Sequence, residues 1–177
     1  MNTINKEEVI VLIIDVQEKL VNMLEDSNVK EQAIKIAKAS EILNIPIIVT
    51  EQYPKGLGST ISEIRDFLTN AEYIEKTSFS ALKDEEIKKL LSKKQVIIFG
   101  IETHICVLQT AMDLLREGYE VFVVENACGS RDELNKQTAL RRLIHAGAQI
   151  ITTEMVLFEL LESSKHPQFK EIQALIK

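Results

Sequence analysis

A three-layer α/β/α fold with a parallel sheet is the class this sequence predicts, and three observations carry it. Six short, β-rich apolar segments alternate with segments of helical periodicity almost without interruption. The helical stretches are long enough to serve as right-handed crossovers between parallel strands. The first apolar segment, residues 9–14, is Val-Ile-Val-Leu-Ile-Ile, a run without polar alternation that suits a strand covered on both faces.

Residues 9–14 form the first strand and stop at Asp15. A helix is expected over 28–43, with Asn28 and Glu31 at capping-box spacing and Val29, Ala33, Ile36, Ala37, Ser40 and Leu43 on one face. The second strand is 45–50, where Pro46 at the start costs no central ladder bond. A loop over 51–59 follows, and Thr60 with Glu63 caps a short helix. A short third strand, 73–75, leads to Lys76, and 84–91 reads as a helix. The fourth strand, 95–99, ends at Gly100. Beyond it Val107, Thr110, Ala111, Leu114 and Leu115 recur at helical spacing up to Gly118. The fifth strand is 119–124. Ser130 and Glu133 cap a helix that runs to His145 and stops at Gly147; 149–152 is the sixth strand, and the rest is helical. No linker, repeat or low-complexity stretch intervenes, so 1–177 is expected to be one domain.

Composition narrows the function classes. The chain is 45% apolar and 27% charged, and no run approaches the ~20 apolar residues of a membrane span. Twenty-one basic residues against 27 acidic give a net charge of −6, which offers no general attraction to nucleic acid or anionic lipid. The polar start enters a strand directly, unlike a signal peptide, so a cytoplasmic location is expected. Cys106 and Cys128 are too few for a disulfide framework or a four-ligand zinc site. His104, His145 and His166 have no metal-ligating spacing, and no glycine-rich phosphate loop follows the first strand. The expectation is a small-molecule substrate and no cofactor.

The C-terminal ends of the strands carry the chemistry: Asp15, Glu51, Lys76, Glu102 with Cys106, and Glu125 with Asn126. A parallel sheet brings these ends to one edge, where open α/β sheets bind their ligands. Cys106 is the candidate nucleophile. At a helix N-terminus it meets unpaired N–H groups and the positive end of the dipole, which favour thiolate. Asp15 is either a carboxylate capping the next turn or a general base beside the thiol. Lys76 is either solvated or a cation that lowers the thiol pKa. His104 stands at i−2 from Cys106, on a different helical face, and reads as a pocket-lining or hydrogen-bonded histidine. Cys128 reads as a small packed side chain, with a resolving thiol as the alternative.

At these residues the chain resembles the isochorismatase-like cysteine hydrolases, over nearly its whole length. Asp15-Val16-Gln17 looks like the family's D-x-Q. Lys76 with Phe79-Ser80 resembles its lysine loop. Residues 100–107 resemble its G-x-x-T-x-x-C-V segment, and 126–131 its late N/D-A-x-x-S-R element. The resemblance implies a Rossmann-like sheet of strand order 3-2-1-4-5-6 and a triad of Asp15, Lys76 and Cys106. It further implies a cis peptide at Ile101–Glu102 and an oxyanion hole of the Glu102 and Cys106 backbone N–H groups. Asp15 would take the thiol proton and pass it to the leaving amine, and water would then hydrolyse a thioester. Gln17, Tyr53, Phe79, Glu102 and His104 would line the substrate pocket. The metal-binding D-x-H-x-H of nicotinamidases is replaced by Glu51-Gln52-Tyr53-Pro54-Lys55, so no metal site carries over. Retention of Cys106 favours cleavage of a C–N bond in a small amide or carbamoyl compound, in a homo-oligomer as among its relatives. A non-catalytic oligomeric binding protein and a thiol redox protein using Cys106 and Cys128 are the alternatives.

Overall fold

Every residue of Val9–Ile14 and of Gln95–Ile101 is buried, as apolar runs without alternation require. In the computed structural model, which describes residues 3–25 and 28–177, these segments are β1 and β4, the central pair of a six-stranded parallel sheet. The other strands are β2 (Ile47–Gln52), β3 (Glu72–Lys76), β5 (Glu120–Gly129) and β6 (Gln149–Ile151). Their order is β3-β2-β1-β4-β5-β6, as the resemblance implied, so the chain reverses direction across the sheet between β1 and β4. That reversal opens a crevice at the strand ends. The main helices are α2 (Asn28–Ile42), α6 (Leu108–Arg116), α7 (Glu133–Ala146) and α8 (Thr153–Leu161). α2 packs with α8 and α6 with α7, and each pair rests on β5. No helix among the described residues is long and apolar enough to cross a membrane.

Short elements escaped the sequence reading because one turn leaves no periodicity to detect. These are α1 (Glu18–Val21) and α3 (Pro54–Leu57); the helical remainder expected after β6 is divided into α8 and, after a break, α9 (Phe169–Ala174). Two helices start later than expected. α4 (Ser62–Arg65) begins beyond Thr60, whose N–H and Oγ1 donate instead to Glu51 Oε1 at 2.6 and 2.7 Å. α7 is capped by Asp132, which accepts from the Asn135 N–H at 2.8 Å, so Ser130 is free to bond elsewhere. Asn28 is already helical and accepts from Gln32 Nε2 at 2.9 Å; the residue before it lies outside the described residues. α5 (Glu85–Leu90) is capped by Asp84, and Thr152 ends β6 by capping α8.

Strand lengths differ for one reason, the ladder. β2 continues through Glu51 and Gln52 because they pair in register with Glu75 and Lys76. β5 runs to Gly129 because a register shift between Ile98 and Gly100 lets Cys128 and Gly129 pair with Gly100 and Ile101. Gly100 itself has φ of 138°, and a Cβ there would meet the Ile14 carbonyl oxygen at 1.9 Å. Only glycine lets β4 lie this close to the end of β1, one residue before Asp15.

Candidate active site

Asp15 leaves β1 with φ of 51°, a left-handed turn that aspartate tolerates better than most residues. The turn is held by its N–H on Thr50 O at 3.1 Å and by the Gln17 N–H on Asp15 O at 2.8 Å. The carboxylate is fully buried and both oxygens are engaged. Oδ1 accepts from Thr50 Oγ1 at 2.6 Å, and Oδ2 accepts from Lys76 Nζ at 2.8 Å. The Lys76–Asp15 pair has no exposed side-chain surface at either partner. Lys76 Nζ also reaches Gln52 Oε1 at 2.7 Å, and the Ser78 and Phe79 carbonyl oxygens at 3.2 and 3.4 Å. A charge so enclosed is tolerated because every donor has an acceptor.

Cys106 arrives from the other half of the crevice. After β4 the chain forms a single π turn, Thr103–Val107, closed by the Val107 N–H on Glu102 O at 3.2 Å, and then enters α6. Such turns widen a helix start and recur at functional sites. Thr103 Oγ1 ties the turn to Gly129 O of β5 at 3.0 Å, and the Ile101–Glu102 peptide is cis. The loop carrying Lys76 is anchored on the same helix: Ser80 Oγ donates to Asp113 Oδ2 at 2.8 Å, and the Ala81 N–H donates to Thr110 Oγ1 at 3.0 Å.

The Cys106 thiol lies within the electrostatic reach of both members of the pair, Asp15 and Lys76. Burial pushes the thiol up to about 12, and the Asp15 charge adds to this against the pull of Lys76. This corrects the expectation of a resting thiolate: desolvation outweighs the helix start, and the proton stays on sulfur beside a base.

Above the sulfur lies a cavity of about 240 Å³. Its walls are apolar, from Leu20, Met23, Leu57, Phe79, Ile101 and Ile105, and its polar members are Gln52, Glu102 and Arg131. Three residues expected in the pocket lie outside this lining. Gln17 is fully buried; its carboxamide donates to Gln52 O and Gly58 O and accepts from the Gln52 N–H, fastening the 52–58 loop. Tyr53, at φ of 38° and 57% exposed, lines a second cleft with Lys55, Glu75, Lys76 and Asp84. His104 turns aside, with Nδ1 3.0 Å from Ser130 Oγ and Nε2 3.3 Å from Glu102 Oε2. Phe79 and Glu102 do line the cavity. Among the other strand-end residues, Glu51 bonds Thr60, and Asn126 Oδ1 accepts from the Thr153 N–H and Oγ1. Thr50 and Gln52 were missed, since each earns its place through a partner on a neighbouring strand. Among the described residues no cluster of three His, Cys, Asp or Glu could hold a metal ion.

Comparison with known proteins agrees with this architecture. An isochorismatase domain model matches residues 9–155. Isochorismatase domain-containing protein 2 of Rattus norvegicus is 39% identical over 174 residues, covering 97% of this chain and 82% of the rat protein. Among solved structures, MAR1 ribonuclease of Caenorhabditis elegans aligns with a TM-score of 0.95 at 38% identity, over 99% of this chain and 92% of that one. The YcaC gene product of Escherichia coli, an octameric hydrolase of unknown specificity, aligns with a TM-score of 0.89 at 27% identity, over 98% and 94%.

Proposed function

The chain belongs to the isochorismatase family and has its hydrolase fold, and from that premise we propose that it is a cofactor-independent cysteine hydrolase cleaving the C–N bond of a small amide or carbamoyl compound. The observation that carries the reading is the buried Lys76–Asp15 pair set against the Cys106 thiol beneath a small, mostly apolar cavity.

Sulfur attacks the substrate carbonyl carbon while its proton passes to Asp15, so no free thiolate has to accumulate. The carbonyl oxygen gains the negative charge and is met by the backbone N–H groups of Glu102 and Cys106. Asp15 returns the proton to the nitrogen, the C–N bond breaks, and the amine leaves. Water then attacks the thioester, giving its proton to Asp15; the C–S bond breaks and the proton returns to sulfur. Lys76 holds Asp15 in line, and Thr50 fixes the other oxygen. Residues 1–177 act as one hydrolase unit in this reading, in a cytoplasmic homo-oligomer; the octameric state of the Escherichia coli protein supports the assembly. RNA, raised by the name of the Caenorhabditis protein, is disfavoured by a net charge of −6 and by an Arg131 already paired with Glu102.

Ammonia or amine release from a panel of small amides, ureides and carbamates tests the proposal, with a single-stranded RNA arm beside it. Turnover of at least one amide by the wild type, absent in Cys106→Ala, is expected. RNA cleavage that survives Cys106→Ala, with no amide turned over, would sink it.

A further inference from the structure

Two helices carry apolar side chains that neither the site nor the core explains. Of the large hydrophobic residues exposed among the described residues, Met23 and Phe79 rim the Cys106 cavity, Tyr53 lines the second cleft, and Phe67 lies under the Lys38 ammonium at 5.4 Å. The others are Leu134 and Ile144 on α7 and Met155 and Phe158 on α8, at 71, 54, 46 and 41% exposure. α7 crosses from β5 to β6 and α2 from β1 to β2, in opposite directions across the sheet. Right-handed crossovers therefore put them on opposite faces, and α8 packs with α2. The two apolar stripes thus look away from each other.

Their charges are opposite. On α7, Leu134, Arg141 and His145 follow one another at helical spacing on the exposed side, with Arg142 beside them. A shallow depression of about 520 Å³ lies against the two arginines and His145, and its walls are mostly apolar, as the alkyl stems of arginine provide. On α8, Glu154 and Phe158 are four residues apart, Glu162 ends the helix four residues further on, and Met155 stands beside them; all are exposed. The Phe158 ring rests on Phe169 of α9, with centroids 6.4 Å apart, which holds it as a fixed knob. Among the described residues, neither arginine and neither glutamate has an ion-pair partner. Resting on the homo-oligomer part of the reading above, we propose that α7 of one copy receives α8 of a second copy. Phe158 and Met155 enter the depression, and Glu154 and Glu162 meet Arg141 and Arg142. The contact joins unlike faces, and each copy carries both halves. It removes four apolar side chains from water and pairs four charges at its rim. A nucleic acid on α7 would leave Leu134 and Ile144 in water and would meet a chain of net charge −6.

Exchange of charges between the two faces tests the pairing. One variant carries Glu154→Arg with Glu162→Arg, the other Arg141→Glu with Arg142→Glu; mass is read by light scattering after size exclusion and folding by circular dichroism. All four positions are exposed, so both variants should fold. The wild type is expected as an assembly and each variant alone at a smaller mass. An equimolar mixture of the two should regain the wild-type mass, because each supplies the native half that the other lacks and the two reversed halves match. If a reversal does not fold, Glu154→Gln with Glu162→Gln keeps the test. It should dissociate at about tenfold higher concentration than the wild type and respond less to salt. Wild-type mass in either reversal overturns the inference and leaves the homo-oligomer standing. A monomeric wild type overturns both, while amide turnover decides the hydrolase reading separately. Loss of mass in both reversals without recovery on mixing also overturns the pairing of α7 with α8. So does a labelled single-stranded RNA that binds the wild type and is released by Arg141→Glu with Arg142→Glu at unchanged mass.

Discussion

Cys106 and Cys128 stand on neighbouring strand ends of one sheet, and burial pushes both thiols up to about 12. By ionisation alone they are indistinguishable. Cys128 is fully enclosed on β5 opposite Gly100; the Gly100 N–H and Lys136 pull its thiol down, and Glu125 opposes them. Cys106 opens on a cavity and holds its proton against Asp15, with Lys76 behind. In the proposed reaction, the difference teaches, reactivity comes from a neighbouring carboxylate and from access rather than from a resting thiolate. It also bears on the redox alternative, because Cys128, fully enclosed, is out of reach of an oxidant in solution.

The comparison is broken most directly by removing each sulfur in turn. Cys106→Ala should lower amide turnover by at least about 10⁴-fold, since among the described residues no other thiol or hydroxyl lines the cavity. Cys128→Ala should keep turnover within roughly twofold and cost about 1 kcal/mol of stability for the small void it leaves. Comparable losses of turnover in both would show that the two sites are not separable.

Asp15→Asn sharpens the same point, because it should move ionisation and activity in opposite directions. The substitution removes the Asp15 charge that helps raise the Cys106 thiol, leaving the pull of Lys76. Thiolate absorbance, followed on a Cys128→Ala background, should therefore appear at lower pH. Hydrolysis should nevertheless fall by about 10²–10⁴-fold, since the group that takes and returns the proton is gone. A variant that is more ionised and equally active would overturn the role given to Asp15.

Lys76→Met acts mainly on stability. It leaves a wholly buried Asp15 carboxylate without its cation, which typically costs about 3–5 kcal/mol. Asp15→Asn combined with Lys76→Met should recover much of that loss in urea unfolding, because the orphaned charge is then neutral. Additive losses would mean that the pair is not coupled.

How much of this was legible in the sequence depended on how local each cause was. The runs 9–14 and 95–99 identify β1 and β4 because two-sided burial writes itself as unbroken apolar residues. Asp15, Lys76 and Cys106 stood out because each lies at or beyond the end of a strand the sequence predicts. Thr50 and Gln52 did not, since their importance lies in the ladder: Thr50 is level with Ile14, and Gln52 is level with Lys76. Gln17 looked like a substrate residue from its place beside Asp15, but its partners, Gln52 and Gly58, are distant in sequence. The protonation state of Cys106 was misread for a related reason. A helix start is visible locally, whereas desolvation arises only when both halves of the crevice close.

The smallest effect reads both thiols through pH. The folded Cys128 thiol titrates at about 12, above the ordinary 9.0. Above pH 9 the unfolded chain gives up this proton while the folded chain keeps it. The contribution to stability is therefore complete below about pH 9 and is lost as pH rises toward 12. Urea midpoints should fall between about pH 9 and pH 11, and less steeply in Cys128→Ala. Tyr73, also raised by burial, titrates in both proteins, so the difference between their slopes belongs to the thiol. Cys106→Ala should flatten the slope by a similar amount, because burial raises both thiols to about 12. No flattening from Cys106→Ala would mean that its sulfur ionises well below this range, against the protonated thiol from which the proposed chemistry starts.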